Sequence, residues 1–433
     1  MIWASVISLF DEPLFLGGVL VAASAVFGGL TWSARRARGK EVVDVEPPVF
    51  RTVTLGATET GKTVLLASMF NHFRTKPDGL RLSAPDGQQR NYLTRVWDRV
   101  ARRGADWPEA TRLGATQSFT LDCMGLVEGN EYPVARFEIT DFAGELVHGG
   151  HQAHDAADEQ RPARKLLDAK IDEADAVFGV VDAFRIGQYL DGVEDGQHYV
   201  RHVILPMIDS MLDVSCPIYF IVSRWDLLAP TEDDDREQLR RVRGALLDQE
   251  SVSRLVNRCR TRRQSIRLIP VSAVGRRFAV IDPATGAVTK RADGVLSPLN
   301  VEFPLCMVIP DLFAHVETIL TERQRAELGD RLDRHRTIHR PGGAAKSFQQ
   351  LLHSPEGEAL RAALGVVLGA DVLNDRLIDM FLDWLARRRQ VGRNLLVENA
   401  QGRARNAVIA EFDEMVTVLR HKYPGADLTM VMR

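Results

Sequence analysis

The chain has 433 residues, 45% of them hydrophobic and 26% charged, proportions of a folded protein with more than one structural unit. Its 55 basic and 58 acidic side chains leave a net charge of -3, without the basic excess of a dedicated nucleic-acid binder, so no direct nucleic-acid binding is expected. Cys123, Cys216, Cys259 and Cys306 are scattered without CxxC spacing, which argues against a disulfide framework or a zinc site and fits buried, reduced thiols.

The first forty residues differ from the rest. Leu14–Trp32 carries no charge, and its nineteen residues would span roughly 28 Å as a helix, the thickness of a bilayer core. Asp11 and Glu12 precede the run, and Arg35, Arg36, Arg38 and Lys40 follow it. A cleaved signal peptide has the opposite polarity. The positive-inside rule places the long C-terminal portion in the cytoplasm. Residues 1–40 are therefore expected to form a single transmembrane anchor with a basic flank, and residues 41–49 a linker. The competing reading is a Gly/Ala-rich helix packed on the protein itself.

The next elements alternate between strand and helix. Phe50–Leu55 is apolar and β-branched and predicts a buried strand; Thr63–Phe73 has helical spacing. Residues 76–115 are polar and read as an insertion with one helix near Gln88–Arg103. Ser118–Met124 and Val134–Thr140 predict a hairpin around a Gly-Asn turn. Ala176–Val181, Ile218–Val222 and Ile266–Val271 are short apolar runs with helical patterns between them, the signature of a parallel sheet covered on both faces. Glu232–Asp235 reads as the acidic start of a helix reaching Arg263, and Ile281–Thr289 predicts a small hairpin. From Asn300 to Tyr423 the pattern is helical, interrupted at residues 339–346. The fold class is α/β, with a domain over residues 50–299 and a helical region over 300–433.

The chemistry is carried by an ordered set of motifs. Gly56-Ala57-Thr58-Glu59-Thr60-Gly61-Lys62-Thr63 fits G-x-x-x-x-G-K-[ST], with a strand leading in and a helix leading out. Backbone N–H groups from Gly56, Thr58, Glu59, Thr60 and Gly61 through Val64, with the helix N-terminus, would face a phosphate. Lys62 would neutralise phosphate oxygens, and the Thr63 hydroxyl would bind Mg²⁺. Asp141 closes the strand Val134–Thr140, where such a site needs an acidic group facing the Mg²⁺ shell. Gly144 follows with a backbone N–H clear of any side chain, suited to sensing a γ-phosphate. Ser223-Arg224-Trp225-Asp226 closes one strand and Val271-Ser272-Ala273 the next.

This order resembles the P-loop GTPases of the translation-factor and Ras-like class, over roughly residues 50–275. The resemblance implies a mostly parallel sheet with one antiparallel strand, GTP or GDP as nucleotide, and Mg²⁺ as cofactor. It implies that Asp226 pairs with the guanine N1 and N2 protons and that Ser272 and Ala273 line the base. Ser223 and Arg224 depart from the family's Asn/Thr and Lys; Arg224 can still lay a planar guanidinium over the purine. The switch threonine that binds Mg²⁺ falls on Thr116, with Thr111 as the alternative. Glu145 stands where the Ras-like pattern has a water-positioning Gln. It positions water, needs a nearby cation, or marks slow hydrolysis. Arg112 invites comparison with an in-chain catalytic arginine. His148, His151 and His154, separated by Gly149-Gly150, read as a polar switch loop rather than a metal site.

Arg387, Arg388, Arg389, Arg393, Arg403 and Arg405 form a loose basic group, suited to anionic lipid or an acidic partner, or a solvated helix end. The anchor polarity with this motif set resembles membrane-anchored GTPase components of bacterial conflict or defence systems. That resemblance implies an inner-membrane protein with its nucleotide domain in the cytoplasm and an unidentified protein partner. Three functions stay open: a GTP-hydrolysing switch, a non-hydrolysing guanine-nucleotide-dependent scaffold, and a P-loop ATPase. A dynamin-like remodeller would need a long heptad-patterned stalk, which the sequence lacks.

Overall fold

A computed structural model describes residues 46–76, 79–109, 116–142, 164–282, 286–319, 375–388 and 400–430. At its centre is a seven-stranded sheet in the order β2-β3-β4-β1-β5-β6-β7. The strands are β1 (Val49–Gly56), β2 (Leu80–Ser83), β3 (Gln117–Val127), β4 (Asn130–Asp141), β5 (Ala176–Asp182), β6 (Ile218–Ser223) and β7 (Ile266–Pro270). β1 runs parallel to β4 and β5, and β5, β6 and β7 continue in parallel. β3 alone opposes this direction, being antiparallel to both β4 and β2. Every residue of β5, β6 and β7 is buried, which explains their uninterrupted apolar runs.

Between the first strands lie α1 (Lys62–Arg74) and α2 (Gly87–Ala101). Asp86 starts α2 by accepting the Gln88 N–H, a strong N-cap interaction. Residues 76–115, expected as an insertion outside the core, instead contribute a sheet edge and a packed helix. β2 pairs from Leu80↔Gly125 to Ser83↔Asp122, and Leu80, Leu82, Leu93 and Val96 are buried in the main core. The β3–β4 turn is Glu128-Gly129, both with positive φ, so Asn130 already pairs with Val127. That is the two-residue geometry whose twist suits a hairpin.

Beyond β5 come α3 (Ala183–Leu190), α4 (Glu194–Tyr199), a π-turn (Val200–Ile204) and α5 (Leu205–Met211). The helix expected to reach Arg263 from the acidic run is two helices, α6 (Asp235–Leu247) and α7 (Glu250–Arg262). After β7, β8 (Ala279–Ile281) and β9 (Val288–Lys290) form the expected small hairpin.

α8 (Phe303–Ile319), α9 (Asp375–Arg388) and α10 (Ala400–Lys422) are the described helices of the C-terminal region. They share the core with the sheet: Phe313, Phe381, Trp384, Val408 and Phe412 join one buried cluster with β-strand residues. Phe313 lies edge-on to Phe381 and Trp384, with ring centroids 5.4 and 5.8 Å apart. Arg267 of β7 pairs with Asp311 of α8, and the Tyr219 hydroxyl donates to the same carboxylate at 3.1 Å. Two buried charges thus satisfy each other instead of remaining isolated. From Pro47 onward the chain makes a single compact unit. The described members of the basic group are ion-paired within the chain: Arg387 with Asp413, Arg388 with Glu317, Arg403 with Glu128 and Arg405 with Asp383. Arg389 and Arg393 lie outside the described residues.

All four cysteines are buried free thiols. Among the described residues no helix is long and apolar enough to cross a membrane. The anchor expected at residues 1–40 lies outside them.

Candidate nucleotide site

The phosphate-loop motif occupies the turn between β1 and α1. Gly56 closes β1 against β5 so tightly that a Cβ there would lie 2.8 Å from the Val180 carbonyl oxygen. Gly61 sits at the N-cap of α1 with φ +83°, a conformation that costs glycine little and other residues more. No acidic side chain occupies the first turn of α1 and none caps it. Its leading N–H groups and partial positive charge are therefore suited to an anion.

Lys62 Nζ donates to the carbonyls of Gly56 and Ala57, both at 2.9 Å, and Thr60 Oγ1 donates to Ala57 O at 2.9 Å. An ammonium has three donors, so one remains for a phosphate oxygen. Burial lowers the Lys62 pKa, and the charge of Asp141 opposes that shift. Asp141 ends β4 beside Thr54 of β1. Burial pushes its pKa up to about 6, with Lys62 pulling the other way. Its Oδ1 is buried without a hydrogen-bond partner, an arrangement that costs free energy unless something else satisfies the oxygen. An open carboxylate oxygen next to the phosphate loop is a donor that fits Mg²⁺. That ion takes few protein ligands and keeps waters and phosphate oxygens around it. Among the described residues no three His, Cys, Asp or Glu side chains cluster as a metal site, which leaves the one-carboxylate arrangement as the candidate.

At the opposite end, Ser223 Oγ donates to Thr60 O at 2.8 Å, with Val181 O at 3.2 Å. Ser223 departs from the expected Asn or Thr, yet it ties the phosphate loop to β5 and β6. Arg224 has φ +54° and pairs with Asp182. Burial raises the Asp182 pKa, and Arg224 is the largest opposing influence. Asp226 is buried with Oδ1 lacking a partner; burial raises its pKa, and a hydrogen bond with Ser272 opposes the rise. Ser272 Oγ also accepts the Gly275 N–H at 2.8 Å. Ser68 of α1 donates to Ala273 O at 2.8 Å, holding this loop to the helix that follows the phosphate loop.

A second layer of side chains fixes these loops. Trp225 Nε1 donates to Asp235 Oδ1 at 2.7 Å, and the Tyr423 hydroxyl donates to Asp235 Oδ2 at 2.8 Å. Arg276 pairs with the same carboxylate. Asn300 Nδ2 donates to Tyr423 Oη and to Pro270 O, each at 2.8 Å. One buried carboxylate thus links the residue before Asp226, the segment after Ser272 and the C-terminal end of α10.

The two ends open into one cavity of about 400 Å³, within the range of small-molecule and cofactor sites. Thr58, Glu59, Thr60, Gly61, Lys62, Thr63, Val64, Asp141, Arg224, Asp226, Ser272 and Ala273 all line it. Gly56 lies behind them, its carbonyl holding Lys62. Thr116 is exposed at the start of β3 and does not line the cavity. Thr111, Arg112, Gly144, Glu145, His148, His151 and His154 fall outside the described residues.

Sequence reasoning missed part of the lining. Trp107, Pro108, Ala279, Ala287 and Val288 also border the cavity. The Trp-Pro pair in an otherwise polar segment was a signal; the hairpin was expected, but nothing local marked it as part of the cavity.

No protein-family model and no curated protein matches this chain. Among solved structures, the chain is similar to Era in complex with MgGDPNP and nucleotides 1506–1542 of 16S ribosomal RNA. The identity is 12% over 64% of this chain and 69% of that one, with a TM-score of 0.27. A likeness so distant carries no argument about what this chain binds.

Proposed function

We propose that this protein binds GTP and hydrolyses it to GDP and phosphate with Mg²⁺, switching a protein partner from the cytoplasmic face of the membrane to which residues 1–40 anchor it. The observation that carries the nucleotide reading is the pairing, within one cavity, of a phosphate loop with a buried, half-satisfied carboxylate. Guanine presents two adjacent donors at N1 and N2, and the Asp226 carboxylate is an acceptor for both. Adenine offers no such pair, so Asp226 favours GTP over ATP.

In this reading the backbone N–H groups of the phosphate loop and the start of α1 hold the phosphates, and Lys62 neutralises their charge. Thr63 and Asp141, which line the cavity, would hold Mg²⁺; Thr116, assigned the switch role by its place in the motif order, stands outside that lining and would join only by moving toward it. The ion, when bound, neutralises charge that develops on the phosphate oxygens. Gly144 supplies a γ-phosphate-sensing N–H. By its place in the motif, Glu145 would position the attacking water, and a negative charge in that role would keep turnover slow without a partner. Arg224, held by Asp182, supplies a planar cation beside the base.

Multiple-turnover phosphate release by the full-length protein in detergent micelles, beside its Lys62→Ala variant, tests the enzyme reading. The wild type should release phosphate from GTP above the variant's rate. Equal rates would leave a nucleotide-dependent scaffold.

A further inference from the structure

The Trp107 side of the cavity belongs to none of the motifs above. The residues at this side come from three places in the chain and are fastened together. Trp107, shortly after α2, is half-buried, and its indole Nε1 donates to Val288 O of β9 at 2.7 Å. Lys290, two residues further along β9, places Nζ 4.9 Å from the centre of the Trp107 ring. The same ammonium donates to the carbonyls of Arg99 and Arg102 at 2.6 and 3.0 Å, closing the C-terminus of α2. Phe278 meets the indole edge-on at 6.4 Å.

These contacts enclose a small core of Val100, Val274, Phe278 and Ala279, separate from the main one, against which Val64, Ala273, Trp107 and Val288 pack. Val64 lies in the first turn of α1, after the phosphate loop, and Ala273 belongs to the loop beside Asp226. The Trp107 wall therefore stands where the two ends of the cavity meet. Its indole N–H is committed to the hairpin, so what it offers the cavity is aromatic and apolar surface. Such a surface suits a purine and its sugar and is unsuited to a phosphate.

We propose that Trp107 and the β8–β9 hairpin form a third recognition wall, which contacts the nucleoside of the bound nucleotide and sets how slowly it leaves. This rests on the nucleotide reading above. The wall holds the base against the Asp226 side, and the Trp107–Val288 and Lys290–helix bonds keep it in place. Trp107 is a positioning and affinity residue with no part in bond breaking.

The test compares GDP with inorganic tripolyphosphate, which fills only the phosphate end, as competitors of a fluorescent guanine nucleotide on the full-length protein. Trp107→Ala should weaken GDP about tenfold, the size of a lost aromatic–base contact, and leave tripolyphosphate unchanged. Lys290→Met, which keeps the indole, should speed release of the fluorescent nucleotide several-fold, and it carries the test if Trp107→Ala does not fold. Equal weakening of both ligands, or unchanged GDP affinity and release, would overturn the proposal. Wild-type protein that binds tripolyphosphate as well as GDP would overturn the nucleotide reading, and the wall with it.

Discussion

The phosphate end of the cavity is made by one continuous stretch, Gly56–Thr63, acting through backbone groups and one lysine. The nucleoside end is assembled from side chains that lie far apart in the chain. Ser223 reaches back 163 positions to Thr60, and Tyr423 reaches back 188 to Asp235. In the proposed reading the first design makes phosphate binding mostly local, with Ser223 as a remote tie to Thr60. In that same reading the second makes base recognition depend on contacts from distant parts of the chain, including the end of the C-terminal helix α10. A change near the end of α10 therefore has a route to the Asp226 segment through Tyr423, Asp235 and Trp225, while its route to Lys62 runs further, by Ser223, Thr60 and Ala57.

Substitutions can break this contrast at either end. The largest effect should come from Lys62→Ala, which removes the only lysine lining the cavity among the described residues. Nucleotide affinity should fall about 100-fold, the scale of a lost charge-assisted contact, and the rise in Tm on adding GDP should vanish. Asp226→Asn should cost GTP roughly 10- to 100-fold in affinity while leaving ATP unaltered, because only guanine uses both carboxylate oxygens. Competition binding measures the two together.

Tyr423→Phe tests the remote support. It takes one hydroxyl from between Asp235 and Asn300 and should cost about 1–2 kcal/mol of stability in chemical denaturation, the penalty of buried partners left unpaired. If the two ends are supported as unequally as the contacts indicate, the variant should weaken GTP but not tripolyphosphate. Equal loss would erase the distinction.

The smallest effect concerns pH. Asp141 has a pKa pushed up to about 6, against an ordinary value of 3.8. Between these values the folded protein holds the proton that the unfolded chain releases, so stability falls as pH rises through that window. Denaturation of the ligand-free protein in chelator, from about pH 4 to pH 7, should show this decline. Asp141→Asn should reduce its slope, leaving the part carried by Asp175, whose pKa burial lifts to about 7.

How much was legible in the sequence follows the same division. The phosphate loop and the carboxylates Asp141 and Asp226 were readable because each sits at a strand end within a short motif. The strands β5, β6 and β7 were readable because burial on both faces leaves continuous apolar runs. The edge strand β2 was hidden: four residues, Leu80–Ser83, carry too little periodicity to stand out from a polar segment. The Asp235 network was hidden because its partners meet only after folding, and Glu232–Asp235 read as a plain acidic helix start. Ser223 departs from the family's Asn or Thr, and its bridge to Thr60 shows only after folding. The wall of Trp107 and Val288 had no motif at all.

The central claim is that this cavity selects guanine nucleotides. Displacement of a fluorescent guanine nucleotide from the full-length protein in Mg²⁺, by GTP and separately by ATP, tests it most directly. The account predicts displacement by GTP at concentrations at least about tenfold below those ATP requires, from the carboxylate's paired contacts alone. Equal displacement by the two would contradict it and remove the role assigned to Asp226.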